Sequence, residues 1–316
     1  MSLVSFVIPC YRSEHTLEAV VEEINSAMAD LAQYEYEIIL VNDDSPDHTL
    51  DVIRHICDRQ DNVTGVALSK NFGQHAALMA GMKQAKGDYV VCLDDDGQTP
   101  ACEVGKLLEG LENGYDVVYA RYSNKLKSGF RNFGTRVNEL MTRVMLGKPK
   151  KLQVTSYFAA KRFIVDSMLE YQNAFPYVIG LVLRATKNIG NVDVEHRERQ
   201  VGRSVSSISK LCGLWFNGFT AFSIKPLRIA TFVGVISALA GFAYGIATII
   251  RKLMHVNTVL GFSSLMSVIL FIGGMVMIML GLIGEYIGRI YISINNSPQY
   301  LVKEVIRREK AEGIHE

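Results

Sequence analysis

Short apolar runs alternate with amphipathic segments along the first 120 residues of the chain. The apolar runs, such as LVSFVIP at 3–9 and EIILV at 37–41, have the length of buried strands. Between these two runs, apolar residues recur at helical spacing, as at Leu17, Val20 and Ile24. Strands that alternate with helices predict an α/β domain with a mostly parallel sheet covered on both faces. The pattern predicts strands at 3–9, 37–41, 63–68, 88–93 and 116–120, and helices at 14–33, 49–59, 74–86 and 103–113.

The last third of the chain has a different pattern. Residues 229–250 and 256–284 carry no charged residue, and each run exceeds the roughly 20 residues that a helix needs to cross a hydrocarbon core. Upstream, Trp215 and Phe219 recur at helical spacing near basic residues, which is typical of a helix lying in the membrane interface. The predicted organisation is a catalytic domain at 1–205, interfacial amphipathic helices at 206–225, two transmembrane helices at 226–288 and a charged tail helix at 289–316.

Charge and cysteine usage place the chain relative to the membrane. Basic residues flank both apolar runs on their outer sides, while the loop between them has only Arg251 and Lys252, so both ends are predicted to be cytosolic. Five cysteines without a CxxC pair suggest buried thiols in a reducing compartment. The net charge of +1 argues neither for nor against a nucleic-acid partner, and none is expected.

An acidic cluster, Asp94-Asp95-Asp96-Gly97-Gln98, directly follows the fourth predicted strand. Carboxylates at i and i+2 after a strand can reach one cation, because the intervening side chain points away. Carboxylate oxygens select hard ions such as Mg²⁺ or Mn²⁺, and Gln98 could add a carbonyl oxygen. The alternative interpretation is a solvated acidic turn, and the apolar strand directly before the cluster argues against it.

A second acidic turn and a basic stretch have weaker signals. Asp43, after the second predicted strand, could accept the imide N–H of uracil, but Asn42 to Asp47 consists of ordinary turn residues. Residues 121–151 are basic and, with Arg199, could bind phosphate, although most of them are expected on a solvated or headgroup-facing surface. His75 and His196 lack zinc-binding spacing, and no GxGxxG or Walker A sequence is present.

Taken in order, FVIPCYRSE, VNDDSPDHT, SKNFGQHAAL, GDYVVCLDDDGQTP and GYDVVYAR resemble the nucleotide-diphospho-sugar transferases of glycosyltransferase family 2. HRERQVGRS, FTAFSIKPLR and the two apolar runs resemble its polyprenyl-phosphate glycosyltransferase branch, which includes dolichol-phosphate mannose synthase-like enzymes and bactoprenol glucosyltransferases. This resemblance covers nearly the whole chain. It implies a Rossmann-like GT-A fold, a Mg²⁺ or Mn²⁺ cofactor and inverting transfer of a sugar from a nucleotide-sugar donor, with UDP favoured, to polyprenyl phosphate.

The resemblance also implies roles for individual residues. Asp96 and Arg199 are expected to be catalytic, and Asp94, Asp96 and Gln98 to bind the metal. The expected donor and phosphate contacts are Pro9, Tyr11, Glu14, Asp43, Lys70, Asp94, Asp95, Arg121, Arg131 and Ser204.

Partners and location follow from the same resemblance. It implies an integral protein of a bacterial inner membrane with a cytosolic catalytic domain, undecaprenyl phosphate as the acceptor, and a homo-oligomer, for which a tetramer is expected.

Two positions depart from the family pattern. Many relatives carry an acidic residue where this chain has Ser156, so no base or sugar contact is carried over to it. Relatives also often have Tyr where this chain has Ser206, which puts the acceptor-loop contact there in doubt. A phosphate monoester acceptor is already a nucleophile at neutral pH and needs little help from a general base, so the loss at Ser156 is tolerable.

Two alternative functions stay open at this point. A processive polysaccharide synthase shares the catalytic domain but carries QxxRW, whereas the only tryptophan here is Trp215 in CGLWFNG. A membrane protein that binds nucleotide sugar without turnover is the other alternative, and the intact Asp94, Asp96 and Gln98 argue against it.

Overall fold

The computed structural model describes residues 1–122, 143, 148–149, 152–195, 225–254, 261–295 and 298–308. The chain forms two compact units. The first consists of Met1–Ile208 with Asn296–Glu316, and the second of Ser209–Asn295.

A central sheet organises the first unit. Its described strands are β1 (Ser2–Cys10), β2 (Tyr34–Asn42), β3 (Val63–Leu68), β4 (Tyr89–Cys92), β5 (Val117–Tyr122), β6 (Phe158–Lys161), β7 (Ile189–Val194) and β8 (Val302–Ile306). Their order in the sheet is β7-β5-β6-β4-β1-β2-β3-β8. The pairs β1/β2, β1/β4, β2/β3 and β5/β7 are parallel, whereas β6 is antiparallel to both β4 and β5. The predicted α/β fold with a mostly parallel sheet is therefore confirmed.

Helices cover both faces of this sheet. The described α-helices of the unit are α1 (Leu17–Ala29), α2 (Thr49–Arg59), α3 (Gln74–Gln84), α4 (Val104–Glu112), α5 (Arg162–Leu169) and α6 (Val178–Ala185). Alternate residues of β1 point to opposite faces: Phe6 and Ile8 join a core with Ile24 of α1, while Val7 faces α3. A Cβ on Gly81 of α3 would lie 2.4 Å from Val7 Cγ1, so this helix is in direct contact with the sheet.

The C-terminal tail contradicts the sequence prediction. Residues 289–316 were expected to form a charged helix, but Val302–Ile306 is strand β8, which pairs antiparallel with β3. Glu304 accepts a hydrogen bond from Arg54 at 2.6 Å, and Leu301 O accepts one from Ser69 N–H at 2.9 Å. The alternation of exposed and half-buried residues in β8 is typical of an edge strand. Backbone N–H and C=O groups that would bond within a helix instead form hydrogen bonds with β3.

Two long helices make up the described part of the second unit, α7 (Lys225–Leu253) and α8 (Phe262–Ile294). They pack against each other where Gly234 of α7 lies beside Met279 of α8. Within the described residues, one stretch, Phe271–Ile292, is long and apolar enough to cross a membrane, with a mean hydropathy of 1.8. The two-span arrangement stays a prediction, and α8 extends beyond the expected boundary at residue 288.

Candidate active site

Three loops follow the carboxyl ends of β1, β2 and β4, which are neighbours in the sheet. They contain residues 11–16, 43–48 and 93–100. Because these strands are parallel, their carboxyl ends open onto the same edge, which is where ligands bind in open α/β sheets. The sequence-predicted aspartates lie in the second and third of these loops, and Glu14 lies in the first.

Asp94 is held on both carboxylate oxygens. Oδ1 accepts a hydrogen bond from Gln74 Nε2 at 2.8 Å, and Oδ2 accepts one from the Ser156 hydroxyl. The pKa of Asp94 is raised to about 6, mainly by burial. The hydrogen bond from Ser156 lowers this pKa, the charges of Asp96 and Asp95 raise it, and the hydrogen bond from Gln74 lowers it. Ser156, at the position where the family pattern has an acidic residue, therefore contacts the acidic cluster directly.

Asp95 points to a different partner from Asp94, as the strand-like alternation predicts. Its Oδ2 accepts hydrogen bonds from Tyr11 N–H at 3.0 Å and from the Ser13 hydroxyl. Its carbonyl oxygen accepts a third from Thr16 Oγ1 at 2.6 Å. Asp95 thus anchors the loop after β1, and its expected contact with the donor stays a prediction.

Asp96 begins a tight turn. Its Oδ1 accepts a hydrogen bond from Gln98 N–H at 3.1 Å, and the intervening Gly97 has φ = +71°, a region that favours glycine. No group of three His, Cys, Asp or Glu side chains that could hold a metal ion is found within the described residues. The expected metal ligands Asp94, Asp96 and Gln98 therefore stay a prediction.

Asp43 is buried and is the first residue of the second loop, directly after β2. Its two carboxylate oxygens accept hydrogen bonds from Phe72 N–H at 2.7 Å and Gly73 N–H at 2.8 Å, so it ties the segment before α3 to β2. Burial raises its pKa, against the lowering effect of these two donors, and Asp44 raises it further. The expected contact of Asp43 with uracil stays a prediction.

Asp47 joins the loops after β1 and β2. Its carboxylate accepts hydrogen bonds from the Thr49 hydroxyl at 2.7 Å, from Glu14 N–H at 3.4 Å and from the Ser45 hydroxyl. Although burial raises its pKa, these donors outweigh burial, and the net pKa of Asp47 is lowered. Glu14 Oε2 in turn accepts a hydrogen bond from His48 N–H at 2.9 Å. Hydrogen bonds therefore connect the loops at 11–16 and 43–48, which together form one rim of the candidate site.

Four further predicted residues can be located in the described chain. Pro9 is the penultimate residue of β1, and Tyr11 just beyond it is 44% exposed at the rim. The Lys70 ammonium lies 5.0 Å from the Phe72 ring centroid. Arg121 pairs with Asp193 through two hydrogen bonds of 2.6 and 2.7 Å, so any phosphate contact would compete with that ion pair.

The remaining expected residues lie outside the described part of the chain. They are Arg131, Arg199, Ser204, Ser206 and the interfacial segment at 206–224. Their assignments stay predictions.

Sequence reasoning missed the residues that orient the acidic cluster. Ser13 and Gln74 hold Asp95 and Asp94 respectively, yet neither belongs to a recognisable acidic or basic pattern. Two sequence signals could have found them: Ser13 lies in the FVIPCYRSE segment and Gln74 in SKNFGQHAAL, and each follows a predicted strand by a few residues.

Comparison with known families agrees with this arrangement. A model of "Glycosyl transferase family 2" matches residues 5–169, and a model of the "GtrB C-terminal hairpin" matches residues 225–290. The first match contains all five residues of the acidic cluster, and the second contains most of α7 and α8.

Curated relatives align with the chain over nearly its full length. The undecaprenyl-phosphate 4-deoxy-4-formamido-L-arabinose transferase of Proteus mirabilis (strain HI4320) is 33% identical over 310 residues, covering 97% of this chain and 95% of that protein. The transferase of the same name from Serratia proteamaculans (strain 568) is 34% identical over 307 residues, covering 96% and 94%.

Among solved structures, glucosyl-3-phosphoglycerate synthase from Mycobacterium tuberculosis has a similar fold. Its complex with Mn²⁺, UDP-glucose and phosphoglyceric acid superposes with a TM-score of 0.52 at 20% identity, covering 67% of this chain and 76% of that one. Its complex with Mn²⁺ and UDP-glucose gives a TM-score of 0.51 at 20% identity, covering 74% and 78%. At this identity the likeness establishes the fold alone.

Proposed function

The chain belongs to glycosyl transferase family 2, and from that premise we propose that it transfers a sugar from a UDP-sugar to undecaprenyl phosphate at the cytosolic face of a membrane. The observation that carries the proposal is the relatives' alignment. Proteins named undecaprenyl-phosphate sugar transferases match 97% of this chain and 95% of their own length. An alignment of that extent includes both the acidic loops and the long apolar helices.

The acidic cluster suits a divalent cation bound together with a pyrophosphate. Mg²⁺ is commonly held by one or two carboxylates and completed by substrate phosphate oxygens and water, and Asp94 and Asp96 supply two carboxylates. Burial and like charges raise the pKa of Asp94, which means that they destabilise its ionised form. A bound cation would stabilise that ionised carboxylate. When bound, the cation would offset the negative charge that develops on the departing nucleoside diphosphate.

The residues around the cluster have separate tasks in this proposal. Gln74 and Ser156 fix the Asp94 carboxylate, and Asp95 fixes the loop that carries Tyr11. An acceptor phosphate oxygen attacks C1 of the sugar, the bond from C1 to the β-phosphate oxygen breaks, and UDP leaves with the electron pair. The acceptor is substantially dianionic at neutral pH, since its second pKa is about 6, and needs no general base. Direct attack inverts the configuration at C1.

The second unit supplies a reason for a lipid acceptor. Large apolar side chains are exposed along both long helices, including Phe242 of α7 and Met277 and Ile278 of α8. Such extended apolar exposure is unfavourable in water and marks a membrane or protein contact. We infer that α7 and α8 both span the bilayer, which would hold the catalytic unit where a polyprenyl phosphate presents its headgroup.

The experiment measures nucleoside diphosphate release by the purified full chain in detergent with Mn²⁺. A panel of UDP-sugars is used, each with and without undecaprenyl phosphate. Release that requires both the lipid and one particular sugar is expected, as is loss of release with excess EDTA. No lipid-dependent release with any donor would refute the proposed acceptor.

Two carboxylate variants test the metal assignment. Asp96→Asn is expected to lower lipid-dependent release at least 100-fold while leaving the thermal midpoint nearly unchanged, because it weakens a metal ligand at an edge loop. Asp58→Asn, at an exposed carboxylate on α2, is the charge-matched control and is expected to retain full activity. Substantial turnover by Asp96→Asn would argue against the metal role.

A further inference from the structure

His75, in the first turn of α3, has a ring nitrogen without an evident structural purpose. Its Nδ1 is enclosed and has no hydrogen-bond partner within the part of the chain that the structure describes. Enclosed polar atoms are almost always hydrogen-bonded, and one left unpaired costs stability. An unpaired enclosed nitrogen at a ligand site is therefore a candidate for a contact that forms only with the ligand.

His75 follows a residue that contacts the acidic cluster, and its own ring packs against an aromatic ring. The preceding residue, Gln74, donates from its side chain to Asp94 at 2.8 Å. The His75 ring meets the Tyr177 ring edge-on, with 5.1 Å between centroids and an interplanar angle of 78°. Tyr177 directly precedes α6, so His75 lies on the side of α3 that faces α6.

Electrostatics limits the kind of group that His75 can bind. Burial lowers the pKa of His75 to about 4, so the ring is neutral near pH 7, with one nitrogen as a donor and the other as an acceptor. A neutral imidazole suits a hydroxyl or an amide better than a phosphate. Among the described residues, the Tyr119 hydroxyl is a second enclosed polar atom that has no hydrogen-bond partner.

Successive residues of α3 and its preceding turn contact successive parts of the site. Gly73 N–H binds Asp43, the expected base-binding residue, and Gln74 binds Asp94, beside the expected pyrophosphate. His75 is the next residue in the chain. A donor lying along this edge would place its base, pyrophosphate and sugar in the same order.

We propose that His75 Nδ1 hydrogen-bonds a hydroxyl or amide substituent of the donor's sugar, which makes His75 a sugar-selecting residue held in place by Tyr177. This inference rests on the proposed function, in which Asp94 faces the donor pyrophosphate. It concerns a part of the donor that none of the acidic residues contacts in the proposal.

Binding of donors without acceptor tests the inference independently of turnover. Affinities for UDP, UDP-glucose, UDP-N-acetylglucosamine and UDP-4-deoxy-4-formamido-L-arabinose are measured by calorimetry with Mn²⁺ for the full chain in detergent. His75→Leu removes the nitrogen but keeps a similar volume, whereas His75→Asn places an amide atom close to the position of Nδ1. For the UDP-sugar that the wild type binds most tightly, Leu is expected to weaken affinity about tenfold and Asn to restore it to within about threefold.

Two controls separate a ligand contact from a structural one. His75→Leu is expected to change UDP affinity less than twofold and to leave the thermal midpoint equal or higher, because an apolar replacement removes an unpaired polar atom. The inference would be overturned if His75→Leu lost equal affinity for UDP and UDP-sugar, or lost affinity for neither. It would also be overturned if the Leu variant failed to fold, or if the wild type bound no UDP-sugar more tightly than UDP. Absence of lipid-dependent turnover in the wild type, by contrast, would count against the proposed function.

Discussion

The contact between Asp95 and Ser13 holds the loop after β1 against the acidic cluster, and its strength can be measured. Ser13 is 2% exposed, and its hydroxyl donates to Asp95 Oδ2, which also accepts Tyr11 N–H at 3.0 Å. Asp95→Ala removes the acceptor for both donors and leaves a buried hydroxyl unpaired. Ser13→Ala removes one donor and leaves the carboxylate with its backbone contact.

The magnitudes follow from the ionised acceptor. A hydrogen bond to a charged group contributes about 1.5–3 kcal/mol, and an unpaired buried donor costs about 1–3 kcal/mol. Burial raises the pKa of Asp95, so removing the carboxylate also relieves a desolvation cost, and the net loss for Asp95→Ala is expected at about 2–4 kcal/mol. Ser13→Ala is expected to cost about 1–2 kcal/mol, with a coupling energy of about 1–2 kcal/mol between the two changes.

The assay is a double-mutant cycle on the full chain in detergent, with the free energy of unfolding taken from pulse proteolysis across a urea series. The prediction is that Asp95→Ala costs less in the Ser13→Ala background than in the wild type. Additive losses within about 0.3 kcal/mol would mean that the two side chains do not interact, and the anchoring role of Asp95 would be refuted.

Three further predictions concern packing, pH and the tail. Gly81→Ala places a Cβ 2.4 Å from Val7 Cγ1 and is expected to cost about 1–3 kcal/mol, whereas Gly105→Ala, whose nearest neighbour is at 3.5 Å, should be neutral or stabilising in matched urea unfolding. The lowered pKa of Asp47 means that its stabilisation is present above the unfolded pKa of about 3.9 and is lost as pH falls through the lower folded pKa. Thermal unfolding should therefore show a stability difference between wild type and Asp47→Asn that is constant above pH about 5 and shrinks below pH about 4; a difference that grows on acidification would contradict it. Deleting residues 298–316 exposes the β3 edge and is expected to lower the thermal midpoint by about 4–8 °C for a loss of about 2 kcal/mol, and an unchanged midpoint would show that β8 adds no stability.

Most strands and helices of the first unit could be predicted because burial imposes a clear pattern on them. Strands such as β1 and β2 are apolar over most of their length since both faces of the sheet are covered, and the helices show one apolar stripe. The same logic placed Asp94 and Asp96 at a strand end, and the opposite contacts of Asp95 agree with strand alternation.

Strand β8 could not be predicted for a physical reason. VKEVI is short and carries two charged residues within a charged tail. Val302, Val305 and Ile306 are β-branched, which favours a strand, but five residues do not show which strand they would pair with. Its stability as a strand comes from β3, more than 230 residues earlier in the chain, where Val66 pairs with Val305. No local pattern contains that information.

The contacts of the acidic residues were also out of reach. Asp43 binds the backbone of Phe72 and Gly73, and Asp94 binds Gln74 and Ser156, partners that are 20 to 62 residues away. Side-chain identity indicates that a carboxylate can accept hydrogen bonds, but the donors are set by which loops the topology brings together. The sequence therefore placed the acidic cluster at a strand end without assigning the residues that hold it.

The central claim, transfer of one sugar to a lipid phosphate, is tested most directly by the mass of the lipid product. The purified chain is incubated with Mn²⁺, undecaprenyl phosphate and the UDP-sugar that supports nucleotide release, and the extracted lipid is analysed by mass spectrometry. The account predicts undecaprenyl phosphate carrying a single sugar and retaining a single phosphate. A lipid bearing a second phosphate, a product with several sugars, or unmodified lipid alongside free sugar would contradict it.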